Sequence, residues 1–367
     1  MAIESKRKDR VWVSYREAAA GTADTDEFME VLSGEMDFPE PEWMRESDKM
    51  KLGANQFGSR AELMSVVTPF SIKCSRLSEV AYFMAFCHGT TDSVTTPEGG
   101  TNARIHEINP LVVTTRTLPT FTLEYGVSGT TKQYSGCVIN DYSITIGLDG
   151  TGMIDATFNG WGNAHYDSSG TLTVNAAGAA TTGENTFTSE PLIGGKATSL
   201  WLADSIGPGV ENALSLSFDA EDMGANLIDL STLYNSITWT YSNGGSPADA
   251  ARGGGRGVVN DFTRKDPEIT LEVGMRKDTA TIGIDAALLA DTQYALEIGF
   301  TGPEIESTFN YGLDVFFPKV QLVGAPTDSE TPISRAVTFE VFEDDDNDAM
   351  LCFVQTTLTL GYNSEAV

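Results

Sequence analysis

The stretch LEYGVSG at residues 123–129 returns later in the chain as LEIGFTG at residues 296–302. A predicted helix precedes each copy, at 77–88 and 279–290, and a long predicted strand follows each, at 136–148 and 311–323. Further upstream, each helix follows a strand and a long polar loop. Because the same order of elements surrounds both copies, the sequence predicts an internal duplication.

Apolar and polar residues alternate in many short runs, a period typical of half-buried strands. The runs lie at 142–146, 214–218, 269–273, 313–317, 337–341 and 357–360. The predicted fold is therefore mainly β, a β-sandwich or barrel with short flanking helices and long loops. The predicted division is a first β domain at 1–162, a Gly/Ala/Ser/Thr-rich inserted subdomain or linker at 163–230, and a second β domain at 231–367.

The first predicted helix places Leu77, Val80, Ala81 and Met84 on one face. Ser75 or Ser78 is expected to cap its start, and Gly89 to end it. The apolar stretch 197–206 is a candidate for a further helix.

Two loops carry the candidate contact residues, because loops of more than about 12–15 residues are uncommon unless they have a function. The loop at 39–60 holds large apolar residues among charges, and the loop at 243–263 is rich in glycine. A contact surface that becomes buried in an assembly would explain them, and an ordinary flexible surface loop is the open alternative. The candidates are Trp43, Met44, Met50, Leu52, Phe57, Arg252 and Arg256.

The chain is strongly acidic, with 23 Lys and Arg against 52 Asp and Glu and a formal net charge of −29. Such a surface repels DNA phosphates and anionic lipid, which argues against a protein that grips nucleic acid. It is compatible with a surface past which DNA slides, or with a charge that serves only solubility. The basic N-terminal residues have no apolar stretch behind them, and no run approaches the roughly 20 apolar residues of a membrane span, so neither a signal peptide nor a membrane segment is expected.

We find no catalytic or cofactor motif in the sequence. Phosphate-loop, GxSxG and HExxH patterns are missing, and the four cysteines and three histidines are scattered. The acidic run at 343–348 lacks the glycine and the final bidentate acid of a calcium loop. The expectation is a protein that is not an enzyme, with no cofactor and no metal.

Strand patterns in the first half resemble phage tail tube proteins of long-tailed, siphovirus-like bacteriophages. The resemblance lies in LPTFTLE at 118–124, YSGCVINDY at 134–142 and MIDATFNG at 153–160, and it extends to 231–362 through the repeat. It implies two tail-tube-like domains, with Leu123, Gly126, Leu296 and Gly299 as equivalent core positions of the repeat.

The resemblance also implies a structural virion protein that assembles with itself into stacked rings around a lumen for double-stranded DNA. Partners would be other copies of the chain, the tape measure and other tail proteins, and DNA that passes without specific binding. A duplicated chain would form a trimeric ring with pseudo-six-fold symmetry, and a hexamer stays open. Assembly in the host cytoplasm and residence in the virion tail follow from the same resemblance.

Two other classes of function stay open on the sequence alone. A carbohydrate- or receptor-binding β-sandwich of a virion or cell surface could use the 5 tryptophans and 11 tyrosines as sugar platforms. A hydrolase with an unrecognised site is the other. The repeat, with long loops at equivalent places, favours the tube subunit over both.

Overall fold

A computed structural model describes most of the chain, and every structural statement below concerns the residues that it describes. These residues are 10–21, 28–31, 35–37, 43–45, 51–52, 55–56, 61–63, 67–90, 92–110, 118–127, 130–147, 154–164, 197–207, 210, 216–245, 252–253, 258–259, 266–276, 292–324, 334–343 and 349–364.

The described residues form 23 strands and one α-helix, α1 (Leu77–His88). The strands are β1 (Arg10–Arg16), β2 (Phe28–Val31), β3 (Glu35–Asp37), β4 (Trp43–Arg45), β5 (Lys51–Leu52), β6 (Asn55–Gln56), β7 (Ala61–Leu63), β8 (Val67–Cys74), β9 (Ser93–Thr95), β10 (Arg104–Glu107), β11 (Phe121–Val127), β12 (Thr130–Gly147), β13 (Asp155–Ala164), β14 (Ser199–Ala203), β15 (Ile228–Asp229), β16 (Tyr234–Ser242), β17 (Arg252–Gly253), β18 (Val258–Val259), β19 (Glu268–Arg276), β20 (Gln293–Glu306), β21 (Phe309–Gly324), β22 (Ser334–Val341) and β23 (Leu351–Thr356).

Seventeen of these strands belong to one branched, antiparallel sheet. In the first half of the chain the neighbours run β2-β1-β11-β12-β13-β8-β3. In the second half they run β15-β14-β20-β21-β22-β19-β16. Two links join the halves, since β16 also pairs with β12, and β23 pairs with both β21 and β10.

Alternating side chains explain why these segments become strands rather than helices. In β16, Ile237, Trp239 and Tyr241 are fully buried, while the threonines between them are half-buried. The same alternation in β19 buries Leu271, Val273 and Met275. Successive residues of a strand point to opposite faces, so this period places one apolar face on the core.

All 12 residues of α1 are buried. Its aromatic residues Tyr82, Phe83 and Phe86 pack against Phe121 of β11, with ring centroids 4.8 to 6.2 Å apart. Full burial of a side chain of this size contributes about 1.5–3 kcal/mol. The helix therefore lies inside the sheet's core, and it is not the one-sided helix that the sequence predicts.

The bounds of α1 match the prediction, and so does its end. Gly89 takes a left-handed conformation with φ of 82°, and its N–H donates to the Ala85 carbonyl. The predicted cap is wrong, because Arg76 occupies the N-cap position and makes no side-chain capping hydrogen bond.

The mainly β fold class is confirmed, and several finer predictions are corrected. The segment 197–206 holds the strand β14, since Leu200 and Leu202 lie on β20. Residues 216–218 form no strand, and the last predicted strand lies earlier, at Leu351–Thr356. The predicted helix at 279–290 falls outside the described residues. The duplication and the three-part division stay predictions.

Candidate assembly surfaces

The first predicted contact loop contains two short antiparallel ladders that follow β3 and precede β8. In the outer ladder Trp43 pairs with Leu63 and Met44 with Glu62. In the inner ladder Leu52 pairs with Asn55. Among the described residues these strands pair only with one another. The sequence predicts a long polar loop here, and the structure has four short paired strands instead; we call β4, β5, β6 and β7, which lie within residues 43–63, the first arm.

The second predicted contact loop also contains a hairpin, which follows β16 and precedes β19. Arg252 pairs with Val259, and Gly253 pairs with Val258. We call this hairpin the second arm (residues 252–259). Of the predicted contact residues, Trp43, Met44, Leu52 and Arg252 lie in the arms, whereas Met50, Phe57 and Arg256 fall outside the described residues.

The predicted repeat core lies on two strands, β11 and β20. Leu123 and Leu296 are fully buried in the same hydrophobic cluster. Gly126 pairs with Arg10 and with Thr131, and Gly299 pairs with Ser199 and with Asp314. Each glycine therefore lies on an interior strand of its half.

Gly299 is the point at which three polar side chains converge. A methyl group at its Cα would lie 2.1 Å from the Ser199 Oγ, 2.6 Å from the Asp314 Oδ1 and 3.1 Å from the Glu297 Oε1. The Ser199 hydroxyl donates to Glu297 at 3.0 Å. Glycine is thus needed for the close approach of these groups, and the backbone conformation does not require it.

Glu297 and Asp314 form a buried acidic pair. Their second carboxylate oxygens, Oε2 and Oδ2, have no hydrogen-bond partner among the described residues. Burial, and then the charge of Asp314, raises the pKa of Glu297 to about 10, and burial raises the pKa of Asp314 well above its usual value. Two neighbouring buried carboxylates do not readily ionise together, so the pair holds at least one proton at neutral pH.

Two further acids near this pair also raise the pKa values of Glu297 and Asp314. Asp219 precedes a 3-10 turn (Ala220–Asp222) of which Asp222 is the last residue, and the charges of both raise the pKa of Glu297 and Asp314. Asp222 is itself buried, which raises its pKa, although it accepts bonds from the Ser217 N–H and hydroxyl. Sequence reasoning did not predict this site, because its acids come from three distant segments.

The first half has a different arrangement at the matching place. Glu124 occupies the repeat position of Glu297, and its Oε1 accepts a 2.8 Å hydrogen bond from the Gln133 side-chain amide. The buried glutamate of the first half thus has the side-chain amide of Gln133 beside it, whereas the buried glutamate of the second half has the carboxyl group of Asp314 beside it. The repeat therefore keeps a buried glutamate and changes its partner.

Glu306, at the tip of the β20–β21 hairpin, connects the two halves of the chain. Its Oε1 accepts from the N–H groups of Thr101, Asn102 and Ala103 at 2.6 to 2.8 Å, and its Oε2 accepts from the Asn102 side chain. These hydrogen bonds, that of Ala103 first, lower the pKa of Glu306. A carboxylate in a nest of backbone N–H groups fixes the hairpin to the loop before β10.

The segment 358–364 closes onto the first half through a second polar cluster. The Asp92 Oδ2 accepts from the Tyr362 N–H and lies 2.7 Å from the His106 Nδ1. The other ring nitrogen of His106 lies 2.9 Å from the Leu358 carbonyl. Asn363 donates to the carbonyls of Ala85 and Thr90. Residues far apart in sequence thus complete the surroundings of α1.

Neither a metal centre nor a membrane helix emerges from the part of the chain described. No three or more His, Cys, Asp or Glu residues in it are placed to hold a metal ion. None of its helices has the length and apolarity to cross a membrane. The four cysteines are buried, and none of them forms a disulfide bond. Of the acidic run at 343–348, only Glu343 is described.

Comparison with known proteins agrees with the resemblance of the strand patterns. A search of curated proteins gives no match. The family model described as phage tail tube protein matches residues 10–341, which include both halves of the sheet and both arms. The chain therefore belongs to the phage tail tube protein family and is a structural component of a phage tail.

Proposed function

We propose that this chain is the major tube subunit of a long-tailed phage, whose copies assemble into stacked rings around a conduit for double-stranded DNA. The observation that carries the proposal is the open sheet. Of its described strands, β2, β3, β9 and β15 each pair with only one other strand. Unpaired strand edges are usually a liability, and here they would serve as the bonds between subunits.

The two arms support stacking. Each lies at a matching place in the strand order, between β3 and β8 and between β16 and β19. Because their described strands pair only within the arm, the body of the subunit does not need them for its sheet. They would contact the adjacent ring through Trp43, Met44 and Leu52 of the first arm and Arg252 of the second, together with Met50, Phe57 and Arg256 of the same two predicted loops.

The net charge of the chain supports the proposal that DNA passes through the lumen without binding. A net charge of −29 would keep a DNA duplex from adhering as it passes, because like charges repel. The subunit would act without catalysis and without a cofactor. Its partners would be further copies of the chain, the tape measure and other tail proteins, assembled in the host cytoplasm and retained in the virion tail.

Electron microscopy of the purified protein, alone and with an initiator complex from the same tail, tests the proposal. Hollow tubes or stacked rings are expected. End-on views would show three subunits per ring if each contributes two units, and six if each contributes one. Particles that stay monomeric with the initiator present would contradict the proposal.

A further inference from the structure

Six neighbouring strands, β8, β13, β12, β16, β19 and β22, share one face whose side chains are half-buried or exposed. The pairing registers align the residues of this face in three rows that cross the strands. The rows are Ser71–Asn159–Asp141–Ser242–Glu268, then Lys73–Thr157–Ser143–Thr240–Thr270–Glu340, and finally Asp155–Thr145–Thr238–Glu272–Thr338. We call these residues the polar lattice.

The residues between the lattice positions point the other way, into the main core. Phe158, Ile144, Trp239 and Val337 are fully buried there, one on each of four strands. Successive residues of a strand point to opposite faces, so the apolar side of these strands is closed and the lattice side is polar. An antiparallel sheet with one face on the core and one toward solvent has this alternation.

The composition of the lattice excludes two common uses of a flat surface. Its members are Ser, Thr or Asn apart from Lys73 at its border and five acids, which are Asp141, Asp155, Glu268, Glu272 and Glu340. The centre of a protein–protein contact is usually aromatic or aliphatic, and no lattice position is either. A surface that grips DNA presents several Lys or Arg residues to the phosphates, and the lattice has one.

Side chains of the lattice also bond to one another across the strands. The pairs are Thr145 with Thr238 at 3.3 Å, Asn159 with Asp141 at 2.7 Å, and Thr240 with Thr270. Hydroxyl and amide groups of this kind are the uncharged donors that proteins offer to DNA phosphates. Because neighbours within the lattice occupy some of these donors, fewer remain for a passing phosphate.

The lattice crosses from the first half of the chain to the second without a break. β12 pairs with β16 from Asp141↔Ser242 to Gly147↔Ser236, and each lattice row passes through this pairing. Six strands about 4.8 Å apart give a face about 24 Å wide. The wall of a conduit has to be continuous across each subunit, and this face meets that requirement.

The far side of the core is closed in the second half. Phe316 lies between two core residues of β21 and belongs to a second apolar cluster on the other side of that strand. Val210, Leu216 and Met223, from the link between β14 and β15, contribute to this cluster. The link therefore covers the sheet there, whereas the lattice side is bare and polar.

We propose that the polar lattice is the wall that faces double-stranded DNA in the conduit. This inference rests on the proposed function and assigns its lumen surface to particular residues. The partner is a hydrated polyanion that passes without binding, because the lattice combines acids, mutually bonded hydroxyl groups and a single border lysine. Its continuity over both halves and its lack of apolar positions set it apart from the covered side of the sheet.

Thiol labelling of assembled tubes tests the assignment. The four native cysteines are buried, so an introduced cysteine is the accessible thiol. Thr145→Cys places one at an exposed lattice position of β12, and Glu272→Cys places one on β19 in the second half. In free subunits, both N-ethylmaleimide and a maleimide attached to a folded protein should react. In tubes the small reagent should still react, and the large one should react at least tenfold more slowly because it cannot enter the lumen.

The matched control is Leu227→Cys. Leu227 is 40% exposed, and the next residue, Ile228 of β15, packs against the main core. Since neighbours along a strand point to opposite sides, the residue 227 side chain faces away from that core, on the far side from the lattice. This thiol should react with both reagents at similar rates in free subunits and in tubes.

Lattice thiols that react equally with both reagents in tubes would place the lattice outside the lumen, and thiols that react with neither would place it in a contact between subunits. Either result would overturn the inference and leave the tube function standing. Equal protection of Leu227→Cys would also contradict it, because the protection would not be specific to the lattice. Wild-type protein that forms no ring with the initiator present would overturn the proposed function as well.

Discussion

At Gly299, the missing side chain leaves the space that Ser199, Glu297 and Asp314 share. Their oxygens approach its Cα so closely that a methyl group would lie 2.1 Å from the nearest of them. Because interiors are tightly packed, the strand pair β14–β20 or the side chains must move to admit even one carbon.

Gly299→Ala should therefore destabilise the fold by about 1–3 kcal/mol. Gly147→Ala is the matched control, since no atom lies within 4 Å of the methyl group that it adds to β12. Alanine there restricts the unfolded chain and should stabilise by about 0.4–1 kcal/mol. Urea unfolding of both variants measures the difference. Equal midpoints for the two would contradict the crowding at Gly299.

The acidic pair predicts a loss of stability at high pH. Burial raises the pKa of Glu297 and Asp314 in the folded protein above their unfolded values, so the folded pair keeps a proton that the unfolded chain has released. The contribution of this retained proton to the free energy of unfolding is complete below about pH 4. It is lost as pH rises toward the folded pKa of Glu297, about 10. Each retained proton gives a slope of at most about 1.4 kcal/mol per pH unit.

Glu297→Gln should reduce this slope, because glutamine resembles the protonated acid and does not titrate. Asp222 and Glu17, whose pKa values are also raised by burial, should keep part of it. Glu304→Gln, an exposed change on the same strand, should leave the slope unaltered. Chemical denaturation between pH 5 and pH 9 provides the measurement. A slope as steep in Glu297→Gln as in the wild type would show that the pair shares no proton.

At the scale of single residues, the sequence predicts well which apolar side chains are buried. It predicts poorly which polar side chains come together. Leu123 and Leu296, the expected core positions of the repeat, are fully buried. The pairing of Glu297 with Asp314 needs β20 to lie beside β21 in one particular register, and local patterns do not contain that information.

Among the elements, the arms make the clearest prediction. Replacing residues 43–63 by a short Gly/Ser turn should leave a folded subunit, since the arm's described strands pair only with each other. Rings should form but not stack, so sedimentation and microscopy should show single rings in place of tubes. Tubes of normal length from this variant would exclude the first arm as a stacking contact.

Elements defined by local sequence are predicted best. α1 is bounded by Gly89, which alone can take the left-handed turn at low cost, and its apolar period is complete within 12 residues. β14 was mistaken for a helix because its five residues are too few to show a period. Its strand form depends on β20, in which the partner of Ser199 is Gly299, 100 residues later in the chain.

For the whole molecule, the net charge of −29 opposes self-assembly, because every subunit repels the next. Added salt shortens the screening length from about 30 Å at 0.01 M to about 8 Å at 0.15 M. Polymerisation, followed by light scattering, should therefore become faster over this range of sodium chloride. A rate that falls with salt would indicate that attraction between opposite charges, and not strand pairing, drives assembly.

The overall architecture is predictable from the sequence as far as its class. Alternation gives a mainly β chain, and the repeat indicates two related halves. The branched sheet is not predictable in this way, because β12 and β21 each pair with three strands from different parts of the chain. Such branching arises because these long strands hold two neighbours in succession along one edge, and no simple pattern of residue types marks where one neighbour ends and the next begins.

The cluster around Asp92 has a consequence for the order of events during synthesis. The Tyr362 N–H that bonds Asp92 lies 270 residues further along the chain. At a ribosomal rate of about 5–20 residues per second, Asp92 waits roughly 15–50 s for this partner. The first half is thus made early and completed late, so the surroundings of α1 stay unfinished while the second half is still being translated.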